Sequence, residues 1–224
     1  MADAIGQVLS LAVVVALSPV PIIAIVLMLG TPRARANGPA FVLGWIVGLA
    51  IVGTIILVVA GSLKANEDAE PATWVGVLLL ALGALLVLVA VKQWRGRPRE
   101  GDVAAMPKWM RAIDTFTPVR SFAIAVALSG INPKNLLLTV GAAAAIAGTG
   151  ASSADQAVAL AVFIAVATLG TAVPVAIYFL LGDRAMPILD GVKTWMAAHN
   201  AAIMAVLCLV IGAKLIGDGI SVLG

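Results

Sequence analysis

Charged residues are scarce in this 224-residue chain: they make up 11% of it, against about 25% in soluble proteins. Hydrophobic residues make up 62%, and the mean hydropathy is +1.12. A soluble globular domain is therefore excluded, and the composition indicates an integral membrane protein. With spans of roughly 20 residues each, the chain has room for about six membrane helices and short loops. A second, soluble domain does not fit.

Cysteine and histidine occur once each, as Cys208 and His199. A lone cysteine rules out a disulfide or a CxxC redox pair within one chain. Without a His or Cys cluster a transition-metal site is not expected. The chain also lacks a phosphate loop with Gly-Lys-Ser/Thr, and the apolar runs carry neither a catalytic carboxylate pair nor a nucleophile–base motif. We therefore expect a protein that is not an enzyme and needs no metal or cofactor.

The apolar residues fall into six runs, which predict an all-α membrane protein with six transmembrane helices. The runs cover 5–29, 39–61, 72–94, 121–147, 155–181 and 197–216. The first run is expected to be retained as a span, since no basic segment precedes it as in a signal peptide. Gly44 and Gly48 give the second span a small-residue face suited to close helix packing.

Basic residues define the expected orientation. The segment after the third run carries Arg95, Arg97, Arg99, Lys108 and Arg111, whereas the loop before that run is mostly acidic. The positive-inside rule therefore places the linker 95–120 in the cytoplasm and both termini outside, in a bacterial plasma membrane. Because the basic residues flank apolar runs, they are interpreted as topology signals and nucleic-acid binding is not expected.

Two further segments on the cytoplasmic side carry structural expectations. Within the linker, 106–116 is predicted to form a short interfacial helix with Trp109, Ile113 and Phe116 towards lipid. The segment 182–198 is predicted to be a second cytoplasmic connection, because its acidic and basic residues interrupt the apolar pattern.

The two halves of the chain resemble each other. Val15-Ala-Leu-Ser-Pro-Val-Pro21 is similar to Val126-Ala-Leu-Ser-Gly-Ile-Asn-Pro133, and each string lies at the middle of the first span of its half. Because each half has three spans, the halves would cross the membrane in opposite senses, as inverted repeats. The predicted organisation is a first repeat at 1–94, the linker at 95–120 and a second repeat at 121–224.

Prolines in the two similar strings predict that helices 1 and 4 are broken at the membrane midplane. Ser18-Pro19 and Asn132-Pro133 each have the pattern of an N-cap followed by the first residue of a new half-helix. In opposed repeats these two N-termini would face a shared space and offer unpaired N–H groups and partial positive charge. Such a site favours an anionic group.

Lys134 follows the second of these breaks. A lysine near the centre of a span costs roughly 2.5 to 3.5 kcal/mol on insertion scales, and no Asp or Glu lies in the interior of the six runs to pair with it. It must meet substrate, water, backbone carbonyls or a residue at a span end, or else lose its proton. Besides binding, a snorkelling lysine or a structural tie remains open. The predicted substrate-binding residues are Ser18, Pro19, Pro21, Ser129, Asn132, Pro133, Lys134 and Asn135.

Three-plus-three spans, with Ser-Pro-Val-Pro21 in the first and Asn-Pro-Lys134 in the fourth, resemble the lysine exporter (LysE) superfamily. Val20 stands where that superfamily usually has glycine. The strings around Pro19, Asn37-Gly38-Pro39 and Gly44-Trp45 resemble the GAP family, the peptidoglycolipid- or sulfolipid-addressing proteins. This resemblance covers nearly the whole chain.

The resemblance implies a secondary transporter that exports or translocates an anionic lipid or glycolipid of the cell envelope, or its precursor, by alternating access. An exporter of amino acids or small ions and a non-transporting scaffold for envelope-lipid assembly are the alternatives. The implied partners are the lipid bilayer and an anionic lipid or small-molecule substrate, and a homodimer stays open.

Overall fold

The computed structural model describes residues 2–65, 71–96, 113 and 115–223. Within these residues the chain is helical and contains no strand. The helices are α1 (Ala2–Ala16), α2 (Pro19–Leu29), α3 (Ala34–Ala65), α4 (Pro71–Arg95), α5 (Pro118–Gly130), α6 (Pro133–Gly148), α7 (Ser153–Leu181) and α8 (Ala185–Leu223).

Four of these helices, α3, α4, α7 and α8, are long and apolar enough to cross a membrane. The pairs α1–α2 and α5–α6 also qualify when each is counted as one span, which gives up to six spans. Large apolar side chains such as Leu180 and Val119 stay exposed on the outer helix faces. That exposure suits a surface that faces lipid, so the described helices agree with a multi-pass membrane protein.

Each short pair is joined by a sharp bend. The axes of α1 and α2 differ by 43°, and those of α5 and α6 by 62°. Pro19 and Pro133 are the first residues of α2 and α6, where the missing N–H of proline removes no helical hydrogen bond. Asn132 caps α6, since its Oδ1 accepts a hydrogen bond from the Lys134 amide at 3.2 Å. Ser18 occupies the same position before α2, but its side chain makes no capping bond.

Glycines set the closest helix contacts. A Cβ built on Gly44 of α3 would lie 2.3 Å from the carbonyl oxygen of Phe122 in α5, so the backbones touch as the Gly44–Gly48 spacing predicts. On the other side of the molecule, α4 and α8 pack along each other with Gly83 opposite Gly212. Gly76 lies against Gly219 further along the same pair, which makes α4 and α8 antiparallel.

The end of the linker is held by α3. Asn37 Nδ2 donates a hydrogen bond to the carbonyl oxygen of Phe116 at 3.1 Å. Ile113 and Phe116 are only 2% and 8% exposed and belong to the main hydrophobic core. The expectation that these two side chains face lipid is therefore wrong, because the chain returns to the bundle before α5 begins. Trp109 and most of the predicted interfacial helix lie outside the described residues.

The predicted connection between the last two spans is also helical. Only a 3-10 turn, Gly182–Arg184, separates α7 from α8, and α8 then runs without a break for 39 residues. At 1.5 Å per residue this helix is about twice as long as the hydrocarbon core is thick. Lys193 and Asp190 form a salt bridge of 2.6 Å, as expected for residues three positions apart on one helix face.

Candidate functional site

The two bends meet at a small polar cavity of about 100 Å³. Its wall combines the bend before α2, the bend before α6, the end of α4 and the middle of α8. The residues that line it are Ser18, Val20, Pro21, Gln93, Asn132, Lys134, Asn135, Asn200 and Met204. A polar cavity of this size has room for several water molecules or one small polar group of a ligand.

Lys134 is the ionisable residue among those that line this cavity. Its side chain is buried, with 7% exposure, because it extends from the first turn of α6 to Val14 of α1 and Met204 of α8. Lys134 Nζ donates hydrogen bonds to Ser18 Oγ and to the carbonyl oxygen of Val14, the latter at 3.4 Å. The Met204 sulfur lies 3.9 Å away. No acidic side chain among the described residues forms a salt bridge with this lysine.

Ser18 and Asn135 connect the two bends directly. Ser18 Oγ donates to Asn135 Oδ1 at 3.2 Å, and Asn135 Nδ2 donates to the carbonyl oxygen of Leu128 at 2.9 Å. Leu128 lies in the last turn of α5, where carbonyl groups lose their helical partners. The network therefore satisfies backbone groups that the break exposes, and it also holds Ser18 beside Lys134.

Five of the predicted site residues line the cavity together: Ser18, Pro21, Asn132, Lys134 and Asn135. Pro19 and Pro133 do not line it, but they begin the two half-helices whose N-termini lie there. Ser129 lies elsewhere. Its Oγ donates to the carbonyl oxygen of Val126 at 3.3 Å, at the point where α5 packs against Gly48 of α3.

Four cavity residues were not among the predicted site residues: Val20, Gln93, Asn200 and Met204. Gln93 stands beside Lys92 and Trp94, and Asn200 beside His199, so both amides have the sequence context of a membrane interface. The sequence feature that could have identified these two residues is an uncharged amide side chain near the end of an apolar run. The Asn200 Oδ1 atom is buried and has no hydrogen-bond partner among the described residues.

Replacing Ser18 by alanine is expected to weaken ligand binding at this site about 30-fold or more, because Lys134 and Asn135 each lose a hydrogen-bond partner worth about 1 to 1.5 kcal/mol. The matched control is Ser221→Ala, since Ser221 is exposed and its Oγ donates a hydrogen bond to the carbonyl oxygen of Gly217, one turn away in the same helix. The measurement is ligand binding to the purified protein at equal protein concentration. Equal binding by both variants would contradict a role for Ser18 in the site.

Comparison with known proteins identifies one family. The family model described as Sap, sulfolipid-1-addressing protein, matches residues 8–221. Searches of the curated proteins and of the solved structures gave no significant match. The matched range includes both bends and every residue that lines the cavity.

Proposed function

The chain belongs to the family of Sap, the sulfolipid-1-addressing protein, and from this we propose that it is a secondary transporter for an anionic envelope lipid, glycolipid or precursor. It moves this substrate outward across the bacterial plasma membrane by alternating access, with both chain termini outside. The family description and the apolar helices support an envelope-lipid role in the membrane.

The observation that carries the proposal is the buried charge of the cavity. Lys134 points its Nζ at a hydroxyl and a backbone carbonyl, both neutral, and has no carboxylate partner in the described part of the chain. A buried cation held by neutral groups alone is costly unless another anion completes its shell. The N-terminal ends of α2 and α6 add partial positive charge at the same place. An anionic headgroup is the ligand that this environment favours.

The geometry of the bends supports two broken spans. A re-entrant hairpin would reverse the chain, whereas bends of 43° and 62° leave both parts of each pair advancing in the same general direction. In the second pair, α5 runs parallel to α3, since Gly44 meets Phe122 and Gly48 meets Val126. When each pair is counted as one span, the protein has six spans. The first and the fourth of them are broken near the middle.

The packing of the helices supports inverted repeats. A twofold axis in the plane of the membrane would exchange α1–α2 with α5–α6, α3 with α7 and α4 with α8. The contact of α1 with α7 then corresponds to that of α5 with α3, and the contact of α2 with α8 to that of α6 with α4. All four of these contacts are present, and α4 packs against α8 as an antiparallel pair on such an axis.

Apolar grooves beside the cavity favour a lipid over an amino acid. One groove of about 450 Å³ lies between the α1–α2 bend and α7–α8, and Leu17 lines it while the adjacent Ser18 lines the polar cavity. Another of about 390 Å³ follows the seam of α4 and α8, with Trp94 and Arg95 at its end. A lipid needs apolar space for its chains next to the headgroup site, whereas a free amino acid needs only the polar cavity.

Reconstitution tests the proposed function. Purified protein is placed in phosphatidylcholine vesicles with fluorescent phosphatidylglycerol, and a membrane-impermeant quencher reports which leaflet holds the label. We expect the label to change leaflets faster than in protein-free vesicles, and a pH gradient to change the rate if protons drive transport. Parallel vesicles receive radiolabelled lysine or leucine. Uptake of an amino acid without lipid movement would replace the proposed substrate class by that of an amino-acid exporter.

A further inference from the structure

Two amide side chains share the cavity with Lys134. Gln93 comes from the inner end of α4 and Asn200 from α8. No hydrogen bond joins either side chain to another residue in the described part of the chain, and Asn200 Oδ1 is buried without a partner. Leaving such a buried acceptor unpaired is energetically unfavourable. A donor from a ligand or from water is therefore expected at this point.

The helices that carry the amides hold them in fixed positions. Among the described helices, α4 and α8 form the most extensive pair, and Gly83 and Gly212 bring their backbones into direct contact. Gly76 and Gly219 repeat this contact two turns away. Two helices that pack this closely cannot easily shift along each other. The backbone positions of Gln93 and Asn200 at the cavity are therefore fixed by the packing of α4 against α8.

The polar groups that line the cavity limit which hydrogen-bond donor a ligand can bring to Asn200 Oδ1. Lysine and a helix N-terminus only donate hydrogen bonds, while an amide oxygen only accepts them. An ammonium group would satisfy Asn200 Oδ1, but it would be repelled by Lys134 in the same small cavity. A hydroxyl group donates without adding charge and can also accept from an amide nitrogen. The complementary ligand therefore carries hydroxyl groups next to an oxyanion.

We infer that Gln93 and Asn200 are specificity-determining residues, which hydrogen-bond hydroxyl groups next to the oxyanion held at Lys134. The inference rests on the proposed transport of an anionic lipid and names its headgroup class: a hydroxylated ester of an oxyanion, such as a polyol phosphate or sulfate. The cavity of about 100 Å³ holds only this part of the molecule. The acyl chains remain in the apolar grooves.

A binding experiment with two matched probes tests the inference. Phosphatidylglycerol and phosphatidylpropanol carry the same phosphodiester charge and the same acyl chains, and they differ only in the two hydroxyl groups. Binding of each fluorescent probe is measured with the protein in phosphatidylcholine nanodiscs. We expect phosphatidylglycerol to bind about tenfold more tightly, because tenfold corresponds to about 1.4 kcal/mol, which is within the range for a single hydrogen bond.

Variants then assign the preference to the amides. Gln93→Met and Asn200→Leu keep the side-chain volume and remove the polar atoms, so each is expected to weaken phosphatidylglycerol binding severalfold and to leave phosphatidylpropanol binding unchanged. Gln156→Met is the control, because Gln156 bonds to the carbonyl oxygen of Ala151 at the start of α7. Equal binding of the two probes by the unmodified protein, or an equal loss of both in the variants, would overturn the inference.

Two further arms separate this inference from the proposed function. If Lys134→Met binds neither probe, the anion site is supported. If the unmodified protein binds phosphatidylglycerol more tightly than phosphatidylpropanol, the roles of the two amides are supported by a separate observation. Soluble glycerol phosphate, the same headgroup without acyl chains, is expected not to displace the lipid probe at equal concentration. Displacement by glycerol phosphate would overturn the assignment of the headgroup to a lipid. Lipid flux is measured apart from binding, so a failure of transport would not change the result for the amides.

Discussion

Lys134→Met is expected to abolish the proposed lipid translocation, with flux falling about a hundredfold to the level of protein-free vesicles. A hydrogen bond to a charged group is worth about 1.5 to 3 kcal/mol, which corresponds to roughly 10- to 150-fold in binding or rate. Methionine fills nearly the same volume as lysine, so the variant removes the charge and leaves the cavity wall intact. The measurement is the quencher assay on reconstituted vesicles at matched protein content.

The same variant separates function from folding. A buried charge held by neutral groups destabilises a protein, so the apolar replacement is expected to leave thermal stability in detergent unchanged or to raise it. Lys92→Met is the matched control, because Lys92 is exposed near the C-terminal end of α4 and lies outside the cavity. Full translocation by Lys134→Met would contradict the anion site. Equal losses in Lys134→Met and Lys92→Met would show an effect of surface charge instead.

Gly170→Ala is expected to have the largest effect on stability. A Cβ at this position of α7 would lie 1.8 Å from the carbonyl oxygen of Ala16, a backbone atom that cannot rotate away. The end of α1 would have to move, and Ser18 follows two residues later. Overpacking of this kind costs about 3 kcal/mol, equivalent to a fall of about 6–12 °C in Tm for a chain of this size.

The control for this prediction is another glycine of the membrane helices. Gly217 of α8 is exposed, and a Cβ added there meets no atom within 4 Å. Gly217→Ala should therefore keep or slightly raise the Tm, since alanine favours helix over glycine. Both variants are heated in detergent, and the folded fraction is measured by size-exclusion chromatography. A Tm for Gly170→Ala within a degree of that for Gly217→Ala would contradict the close contact of α1 and α7.

Local sequence rules located the two half-helix starts. Proline at the first helical position and asparagine before it are governed by backbone geometry within a few residues, so Pro19, Pro133 and the Asn132 cap are readable without tertiary information. The exceptional position of Lys134 is equally visible, because one charge in a long apolar run stands out against its neighbours. The hydrogen bonds of the Ser18 side chain were not predictable from neighbouring residues. It bonds to Lys134 and Asn135, which are more than a hundred residues away in the sequence.

Helix faces were harder to assign from the sequence. In a membrane protein both the lipid-facing and the protein-facing sides of a helix are apolar, so periodicity does not distinguish them. Ile113 and Phe116 therefore had the pattern of lipid-facing residues although the bundle buries them. Ser129 had the pattern of a site residue although it lies at the contact of α3 and α5.

The sequence by itself determined the membrane class, the family resemblance, the positions of the two half-helix starts and the presence of one lysine in the second of them. These follow from composition and from interactions between near neighbours. Only the tertiary structure decided that Ser18 and Asn135 meet at Lys134, that α8 is continuous, and that Gln93 and Asn200 complete the cavity. The reason is that α4 and α8 are brought together by packing between residues more than a hundred positions apart, and no local rule contains that contact.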